Sequence, residues 1–291
     1  MNEIILENGK KIGGTNSPFL IAEIGNNHNG DIEIAKKLIE IASQIGVDAV
    51  KFQVKDIESS FSKELLEKPY SGPNSFGKTY REHKEFLEFN QDQLKTLYEY
   101  SRQKGIICFS TPFDIKSVEL LENLNNPIYK ISSFHVTDIP LIKRIIDTKK
   151  PVIMSTGMST IEEISKAYQL FTDTNNLILL QCTSSYPTND EDVNLKSIIT
   201  LREKFDVNVG YSGHERGTSI SAASVMFGAS VIERHFTLDR TMKGPDHAAS
   251  LEPEGMKLLI DKCKRIFNSI GSGEKNVLPC EFENRKKFRG Y

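Results

Sequence analysis

The sequence predicts an α/β fold, a single (β/α)8 barrel of the TIM type, and three observations support that prediction. The chain has 291 residues, a usual length for one such barrel. Short apolar runs rich in β-branched residues alternate with amphipathic stretches from Phe19 to Phe267, which indicates parallel strands joined by right-handed crossovers. Eight such units can be counted, enough to close a barrel. A doubly wound open sheet is the alternative, and the lack of a glycine-rich phosphate loop after the first strand counts against it.

The eight predicted strands are apolar runs that end in a polar residue or glycine. They cover residues 19–25, 49–54, 106–111, 128–133, 152–157, 177–183, 207–212 and 231–236. The helix predicted over 32–45 has Asp31 as a suitable N-cap and repeats apolar residues at helical spacing from Ile34 to Ile45. The other predicted helices cover residues 91–104, 115–124, 139–148, 161–171, 195–205, 218–227 and 254–270.

Three segments of the single predicted domain, residues 1–291, lie outside this repeat. Residues 1–17 carry turn signals at Gly9 and Gly13 and predict an N-terminal β-hairpin that plugs one end of the barrel. Residues 55–90 are too long and irregular for a plain connection, so we expect a loop over the opposite mouth. Residues 272–291 form a C-terminal tail.

The composition argues against several classes of protein. With 37 basic and 39 acidic residues the formal net charge is −2, so nucleic-acid binding has no electrostatic footprint. No apolar run approaches the roughly 20 residues that cross a bilayer, so no membrane partner is expected. The widely spaced Cys108, Cys182, Cys263 and Cys280 predict free thiols. These features are typical of a cytoplasmic protein.

Polar side chains collect at the carboxyl ends of the predicted strands, where barrels of this kind assemble their active sites. Lys51 and Gln53 share one face of the second strand because side chains alternate along a strand. Lysines and hydroxyls aimed into one cavity would repel or stay unpaired without an anion, so a phosphate or carboxylate ligand is implied. The strand-end residues are Glu23, Lys51, Gln53, Ser110, Thr111, Lys130, Ser132, Ser133, Ser155, Thr156, Gln181, Cys182, Thr183, Ser212, His214, Glu233 and His235.

Two of these residues are histidines at the ends of neighbouring predicted strands. His214 and His235 would bring two imidazoles together, with few carboxylates nearby. Such a pair is typical of an open site for Mn²⁺, Zn²⁺ or Fe²⁺, although a structural histidine is the alternative at either position. After the last strand, Asp246 either aims a carboxylate at sugar hydroxyls or belongs to a Gly-Pro-Asp turn.

Between Pro18 and Glu281, the sequence resembles the sialic acid synthase family. The stretches that carry the resemblance are 21–30 (IAEIGNNHNG), 50–53 (VKFQ), 130–133 (KISS), 155–158 (STGM), 181–187 (QCTSSYP), 210–214 (GYSGH), 232–235 (IERH) and 244–247 (GPDH). The resemblance implies the same barrel fold and a divalent cation, most often Mn²⁺, with Mg²⁺ or Co²⁺ as alternatives. It also implies a reaction that joins phosphoenolpyruvate to N-acetylmannosamine, its 6-phosphate or a related hexose.

The resemblance assigns roles to individual residues. His214 and His235 would bind the metal, and Glu23 would move a proton or orient water while also facing the sugar. The residues implied for phosphoenolpyruvate are Lys51, Thr111, Lys130, Ser133, Ser155 and Ser212. Those implied for the sugar are Gln53, Tyr186 and Asp246.

The implied mechanism has the metal polarise the sugar aldehyde while the alkene carbon of phosphoenolpyruvate attacks it. Water then adds at the neighbouring carbon, and phosphate leaves with C–O cleavage beside the lysines.

Several alternatives concern the substrate and the class of reaction. The stretch 75–84 resembles animal enzymes that use the 6-phosphate, whereas Ser133-Phe134 resembles the pseudaminic branch and His135 stands where an acidic residue is expected. A legionaminic-type, pseudaminic-type or shorter 3-deoxy-ulosonate synthase is therefore an alternative. A Schiff-base aldolase or lyase using Lys51 or Lys130, and a barrel without catalytic activity, are others.

Members of the family continue into a small antifreeze-like domain whose arginine enters the partner subunit's sugar site. This sequence ends at Tyr291, where that domain would begin. The resemblance therefore implies a homodimer with a more open sugar site, or a site that a separate antifreeze-like protein completes.

Overall fold

Eight parallel strands of the described chain close into a barrel in the order of the sequence. The computed structural model describes residues 3–171 and 176–291. The strands are β1 Ile4–Ile5 and β2 Lys11–Ile12, which form the hairpin, and the barrel strands β3 Phe19–Gly25, β4 Ala49–Val54, β5 Ile107–Pro112, β6 Tyr129–Ile131, β7 Val152–Ser155, β8 Leu177–Cys182, β9 Asn208–Gly213 and β10 Val231–His235. Because β10 pairs with β3, the sheet has no open edge. The predicted barrel is confirmed.

Helices connect the strands. They are α1 Ile32–Ile45, α2 Ile57–Ser60, α3 Lys63–Leu66, α4 Tyr80–Leu87, α5 Gln91–Gln103, α6 Ile115–Asn123, α7 Ile139–Ile146, α8 Ile161–Tyr168, α9 Ser197–Phe205, α10 Ser219–Ala223, α11 Pro253–Ser269 and α12 Phe282–Arg289. The segment 55–90, predicted as a long loop over the mouth, contains the short helices α2, α3 and α4. Asp56, Ser62 and Thr79 cap these helices by accepting backbone hydrogen bonds at their starts.

Some element ends also differ from the prediction. The strand predicted over 128–133 ends at Ile131, and the chain turns into the 3-10 segment Ser133–His135. Here Ser132 Oγ and His135 Nδ1 lie 2.8 Å apart, a local hydrogen bond that competes with a continued strand ladder. The helix predicted over 218–227 is α-helical only over Ser219–Ala223 and continues as a 3-10 turn.

The alternation of side chains along the strands builds two separate cores. On β3, Leu20, Ala22 and Ile24 belong to the large core shared with the helices. Phe19 and Ile21 belong to a smaller apolar core inside the barrel, shared with the hairpin. Glu23, the next residue on that inward face, is buried yet charged. The inward face therefore changes from apolar to charged towards the carboxyl end.

The amino end of the barrel is closed by the predicted hairpin. β1 and β2 pair antiparallel, and Ile4, Leu6 and Ile12 are buried against the inward apolar residues. Residues 1 and 2 of the predicted hairpin lie outside the described residues. Within the described ranges, none of the helices has the length and apolar character that crossing a membrane requires.

Candidate active site at the carboxyl mouth

A cavity of ≈ 400 Å³ opens at the carboxyl ends of the barrel strands. All the residues that the sequence assigns to substrate, metal or catalysis line it: Glu23, Lys51, Gln53, Thr111, Lys130, Ser133, Ser155, Tyr186, Ser212, His214, His235 and Asp246. The geometry prediction is confirmed in that these side chains meet in one place. Their individual roles stay predictions.

Lys51 is a buried lysine that lines the cavity. Its Nζ is 2.7 Å from Glu23 Oε2 and donates a hydrogen bond to Thr111 Oγ1 at 3.0 Å. Glu233 Oε2 lies farther away, at 3.7 Å. Burial opposes the charge on Lys51, but the carboxylates of Glu23 and Glu233 outweigh it and raise the pKa of this lysine. Lys51 is therefore a fixed ammonium group.

Lys130 is the second buried lysine, and its surroundings are less favourable for a charge. Its Nζ donates to Ser155 Oγ at 2.6 Å, and Glu233 Oε1 is 3.7 Å away. Burial lowers the pKa of Lys130, and the attraction of Glu233 offsets this only in part. An anion bound beside Lys130 would supply the missing negative charge.

Glu233 was predicted at a strand end, but the sequence reasoning gave it no role. It accepts a hydrogen bond from Ser212 Oγ at 3.0 Å and lies between the two lysines. Burial alone would raise its pKa, but Lys130 and then Lys51 hold it down at about 2. The expectation that the lysines would stay unpaired without an anion is therefore corrected: Glu23 and Glu233 neutralise part of their charge. Glu233 and His235 are two positions apart, so their side chains lie on the same face of the strand, and this spacing could have indicated that Glu233 also faces the cavity.

Gln53 forms hydrogen bonds with Glu23, beside Lys51, and with Lys55, nearer the mouth. Its Nε2 donates to Glu23 Oε1 at 2.9 Å, and its Oε1 accepts from Lys55 Nζ at 3.1 Å. Gly25 lies at φ 53°, and a Cβ there would sit 3.0 Å from Glu23 Oε1. The glycine therefore leaves room for this carboxylate and amide at the bulge that ends the β3–β4 ladder.

The two predicted metal ligands lie side by side. The ring centroids of His214 and His235 are 5.5 Å apart, and the Tyr186 ring lies 4.0 Å from that of His214. His214 Nδ1 bonds the carbonyl of Thr183 at 2.8 Å, which leaves Nε2 as its unprotonated nitrogen. Burial, together with the neighbouring His235, lowers the pKa of His214 to about 3. His214 is thus a neutral imidazole at physiological pH.

These residues fit an open divalent-metal site. His235 Nδ1 is buried and has no hydrogen-bond partner among the described residues. The backbone carbonyl behind His214 is the outer-shell partner that metal-binding imidazoles commonly have. Across residues 3–171 and 176–291, no third histidine, cysteine or carboxylate joins the pair to form a cluster of ligands. Two imidazole donors would leave most coordination positions to water and substrate.

The remaining predicted residues line other parts of the wall. Ser133 Oγ accepts a hydrogen bond from the Gly157 amide at 2.9 Å and lies in the 3-10 turn after β6. Tyr186 is 45% exposed and Asp246 is half-buried, so both are more open to solvent than the lysines. The segment 55–90 adds residues for which the sequence gave no role: Lys55, Ser60, Phe61, Tyr80 and Lys84.

Fold and site together define a (β/α)8-barrel protein whose mouth carries buried lysines for an anionic substrate beside a pair of imidazoles. The chain belongs to the NeuB family, whose model matches residues 38–275.

Named relatives extend this result. The chain is 42% identical to human N-acetylneuraminate-9-phosphate synthase over 98% of its own length and 80% of that protein's. It is 41% identical to N,N'-diacetyllegionaminic acid synthase of Campylobacter jejuni, covering 91% of this chain and 81% of the relative. The crystal structure of the N-acetylneuraminic acid (sialic acid) synthetase of Leptospira borgpetersenii in complex with citrate is similar, with a TM-score of 0.86 at 35% identity, over 100% of this chain and 98% of that one.

Proposed function

We propose that this protein condenses phosphoenolpyruvate with an N-acetylmannosamine-type aldose, or its 6-phosphate, to give a sialic-acid-type nonulosonate and phosphate. The observation that carries the proposal is one cavity that joins two buried lysines to a pair of adjacent imidazoles. The relatives named as synthases of N-acetylneuraminate 9-phosphate and of diacetyllegionaminic acid support the same reaction class.

Lys51 and Lys130 would hold the phosphate and carboxylate of phosphoenolpyruvate. Lys51 contacts Thr111 and Glu23, and Lys130 donates to Ser155 and the Ile131 carbonyl, so each ammonium group keeps one further N–H for a ligand. Glu233 lies 3.7 Å from both lysines. Thr111, Ser133, Ser155 and Ser212 supply hydroxyls around the same space. Charge-assisted hydrogen bonds of this kind are shorter and stronger than neutral ones.

The proposed reaction forms one carbon–carbon bond and breaks one carbon–oxygen bond. The alkene electron pair of phosphoenolpyruvate attacks the aldehyde carbon, and the aldehyde oxygen takes a proton. Water adds to the carbon that bears the phosphate, forming a carbon–oxygen bond, and gives up one proton. The carbon–oxygen bond to phosphate then breaks as the new hydroxyl becomes the ketone, and the hydroxyl proton passes to the departing phosphate. Glu23, buried beside Lys51 and Gln53, is the carboxylate we assign to orient this water or accept its proton.

We further propose that His214 and His235 hold a divalent cation, with Mn²⁺ as the first choice and Mg²⁺ or Co²⁺ as alternatives. When bound, the cation would supply Lewis-acid polarisation of the sugar aldehyde. The protein's own part is to keep His214 neutral through burial and to orient its ring through the Thr183 carbonyl. Tyr186 covers the pair and, with Asp246 and Gln53, would address the sugar.

A panel of aldoses with phosphoenolpyruvate and Mn²⁺, followed by phosphate release, tests the reaction and its specificity together. N-acetylmannosamine, its 6-phosphate, diacetylated bacillosamine-type hexoses and shorter aldose phosphates form the panel. Turnover confined to the shorter aldose phosphates would replace the proposed function with that of a 3-deoxy-ulosonate synthase. The absence of phosphate release with every aldose would reject a condensing activity.

The bond that breaks is tested by isotope labelling. With ¹⁸O in the bridging oxygen of phosphoenolpyruvate, the label should leave with phosphate because water attacks carbon. Label retained in the sugar acid would indicate P–O cleavage and would rule out the proposed steps.

A further inference from the structure

The outer part of the cavity contains a second pair of lysines, separate from Lys51 and Lys130. Lys55 directly follows β4, and Lys84 lies on α4 in the segment over the mouth. Both line the same cavity as the deep lysines. Nothing in the proposed handling of phosphoenolpyruvate uses them.

The position of this pair along the barrel axis is set by β4. Lys51, Gln53 and Lys55 occupy every second position from β4 into the residue that follows it, so Lys55 lies about 13 Å farther along the strand direction than Lys51, at about 3.3 Å per residue, and nearer the mouth. The aldehyde end of the sugar must meet phosphoenolpyruvate in the deep layer. The far end of a six-carbon chain then extends toward Lys55 and Lys84.

The charge of the outer pair is only half neutralised. Lys55 Nζ is 3.1 Å from Glu88 Oε1, and this carboxylate is its ion-pair partner. Burial lowers the pKa of Lys55, Glu88 opposes that effect, and the ammonium of Lys84 adds to it. Lys55 and Lys84 are therefore two cations with only one carboxylate, that of Glu88, at ion-pair distance.

Lys84 is the member of this pair that has no carboxylate at ion-pair distance among the described residues. It is half-buried, and its Nζ lies over the rings of Tyr80 and Phe61, at 5.0 Å and 5.8 Å from their centroids. In the described parts of the chain it makes no ion pair or hydrogen bond, although Asp246 and Glu88 are near enough to act on it electrostatically. Arg81, on the same helix, instead pairs with Glu58 and Glu67 away from the cavity. A desolvated ammonium group with free donors, facing a substrate cavity, is suited to an anion.

We propose that Lys84, beside Lys55, forms a second anion subsite that binds the phosphate of a 6-phosphorylated amino-aldose, so that the phosphorylated sugar is the preferred substrate. This inference rests on the proposed function and deepens it. The relatives do not decide the matter, because a 9-phosphate synthase and a diacetyllegionaminic acid synthase are 42% and 41% identical to the chain. The unpaired cation at the sugar end of the cavity favours the phosphate.

Steady-state kinetics of Lys84→Met with N-acetylmannosamine and with its 6-phosphate test the subsite. Removal of a charge-assisted hydrogen bond should raise the KM for the 6-phosphate roughly ten- to 100-fold. The KM for phosphoenolpyruvate and kcat/KM for the unphosphorylated sugar should stay unchanged. Lys84→Arg keeps the charge and should restore much of the preference. Lys78→Met, an exposed lysine of the same segment that does not line the cavity, is the matched control and should behave as wild type.

Three outcomes would overturn the subsite while leaving the condensation reaction intact. An equal loss with both sugars would mean that Lys84 orders the Asp246 loop. A raised KM for phosphoenolpyruvate would assign Lys84 to that substrate, and a wild type that prefers the unphosphorylated sugar would leave no phosphate to bind. If Lys84→Met does not fold, Lys84→Gln replaces it with the same criteria. Failure of wild type to use any aldose would overturn both proposals together.

Discussion

The two ends of the barrel are built from the same strands but from opposite kinds of side chain. Toward the amino end, Phe19, Ile153 and Val231 face inward and belong to one apolar cluster with the buried hairpin residue Ile12. Two residues farther along β7 and β10 stand Ser155 and Glu233, in the charged layer that faces the cavity. One end gains from burial of apolar surface, whereas the other holds charges in places where burial opposes them.

The difference shows how stability and chemistry are separated along one axis. The closed end contains a buried apolar cluster, whose burial contributes to folding. The open end carries Lys130 as a buried ammonium group whose pKa is lowered by burial, a cost of folding that Glu233 offsets in part and that a bound anion would reduce further. Substitutions at the mouth should therefore alter turnover more than stability, and substitutions at the hairpin should do the reverse.

The largest effect at the mouth is expected from the imidazole pair. His235→Ala should lose Mn²⁺ binding and lower kcat/KM on the order of a thousandfold or more, because metal stabilisation of developing charge is worth several kcal/mol. Chelation should abolish turnover of the wild type, and Mn²⁺ should restore it. His135→Ala removes another cavity-lining imidazole and should keep the response to Mn²⁺. Full activity of an exhaustively demetallated protein would contradict the metal proposal.

The next largest effect is expected at Lys130, where one substitution should lower turnover without lowering stability. Lys130→Met should lower kcat/KM for phosphoenolpyruvate on the order of 10²- to 10³-fold, the loss typical of one preorganised electrostatic group. Its free energy of unfolding should be unchanged or higher, because the buried charge is removed. Urea titration beside the kinetics provides the comparison. A clear loss of stability with little loss of activity would reverse the role given to the mouth.

The hairpin should show the opposite behaviour. Ile12 is fully buried, so Ile12→Ala should lower the free energy of unfolding by about 2–5 kcal/mol through lost contacts and a cavity. The values of kcat and KM should not change below the unfolding transition. Ile5, on the paired strand, is 61% exposed, and Ile5→Ala should stay within about 0.5 kcal/mol of wild type. Altered kinetics in Ile12→Ala would mean that the two ends are coupled.

The last predicted effect, the smallest when it is counted for a single pH unit, concerns the pH dependence of the free energy of unfolding. His28 is buried, stacks on Phe89 with centroids 4.1 Å apart, and accepts a hydrogen bond from the Gly30 amide. Burial lowers its pKa from 6.5 to about 3, so the unfolded chain binds a proton before the folded one does. Stability should fall as the pH drops through that range, by at most about 1.4 kcal/mol per pH unit from this group. His28→Gln should flatten the slope in urea titrations, and parallel slopes would exclude His28 as the cause.

The sequence was informative about the site because the strand period is regular. Once the barrel was predicted, every second residue near a carboxyl end had to face the interior, and this placed Lys51, Lys130, Ser212 and His235 together. Periodicity did not predict the helices in the segment 55–90. There the periodic signal is weak, and local caps at Asp56, Ser62 and Thr79 decided the short helices.

By itself, the sequence determined the barrel, the hairpin and the set of residues at the mouth, because periodicity and residue type are local properties. Only the tertiary structure decided which charges neutralise each other. These pairings depend on distances between strands and helices that are far apart in the chain. Examples are the 2.7 Å contact of Lys51 with Glu23, the place of Glu233 between two lysines, and Lys84, which has no ion-pair partner among the described residues. Electrostatic energy varies with those distances and with burial, and neither can be read from the order of residues.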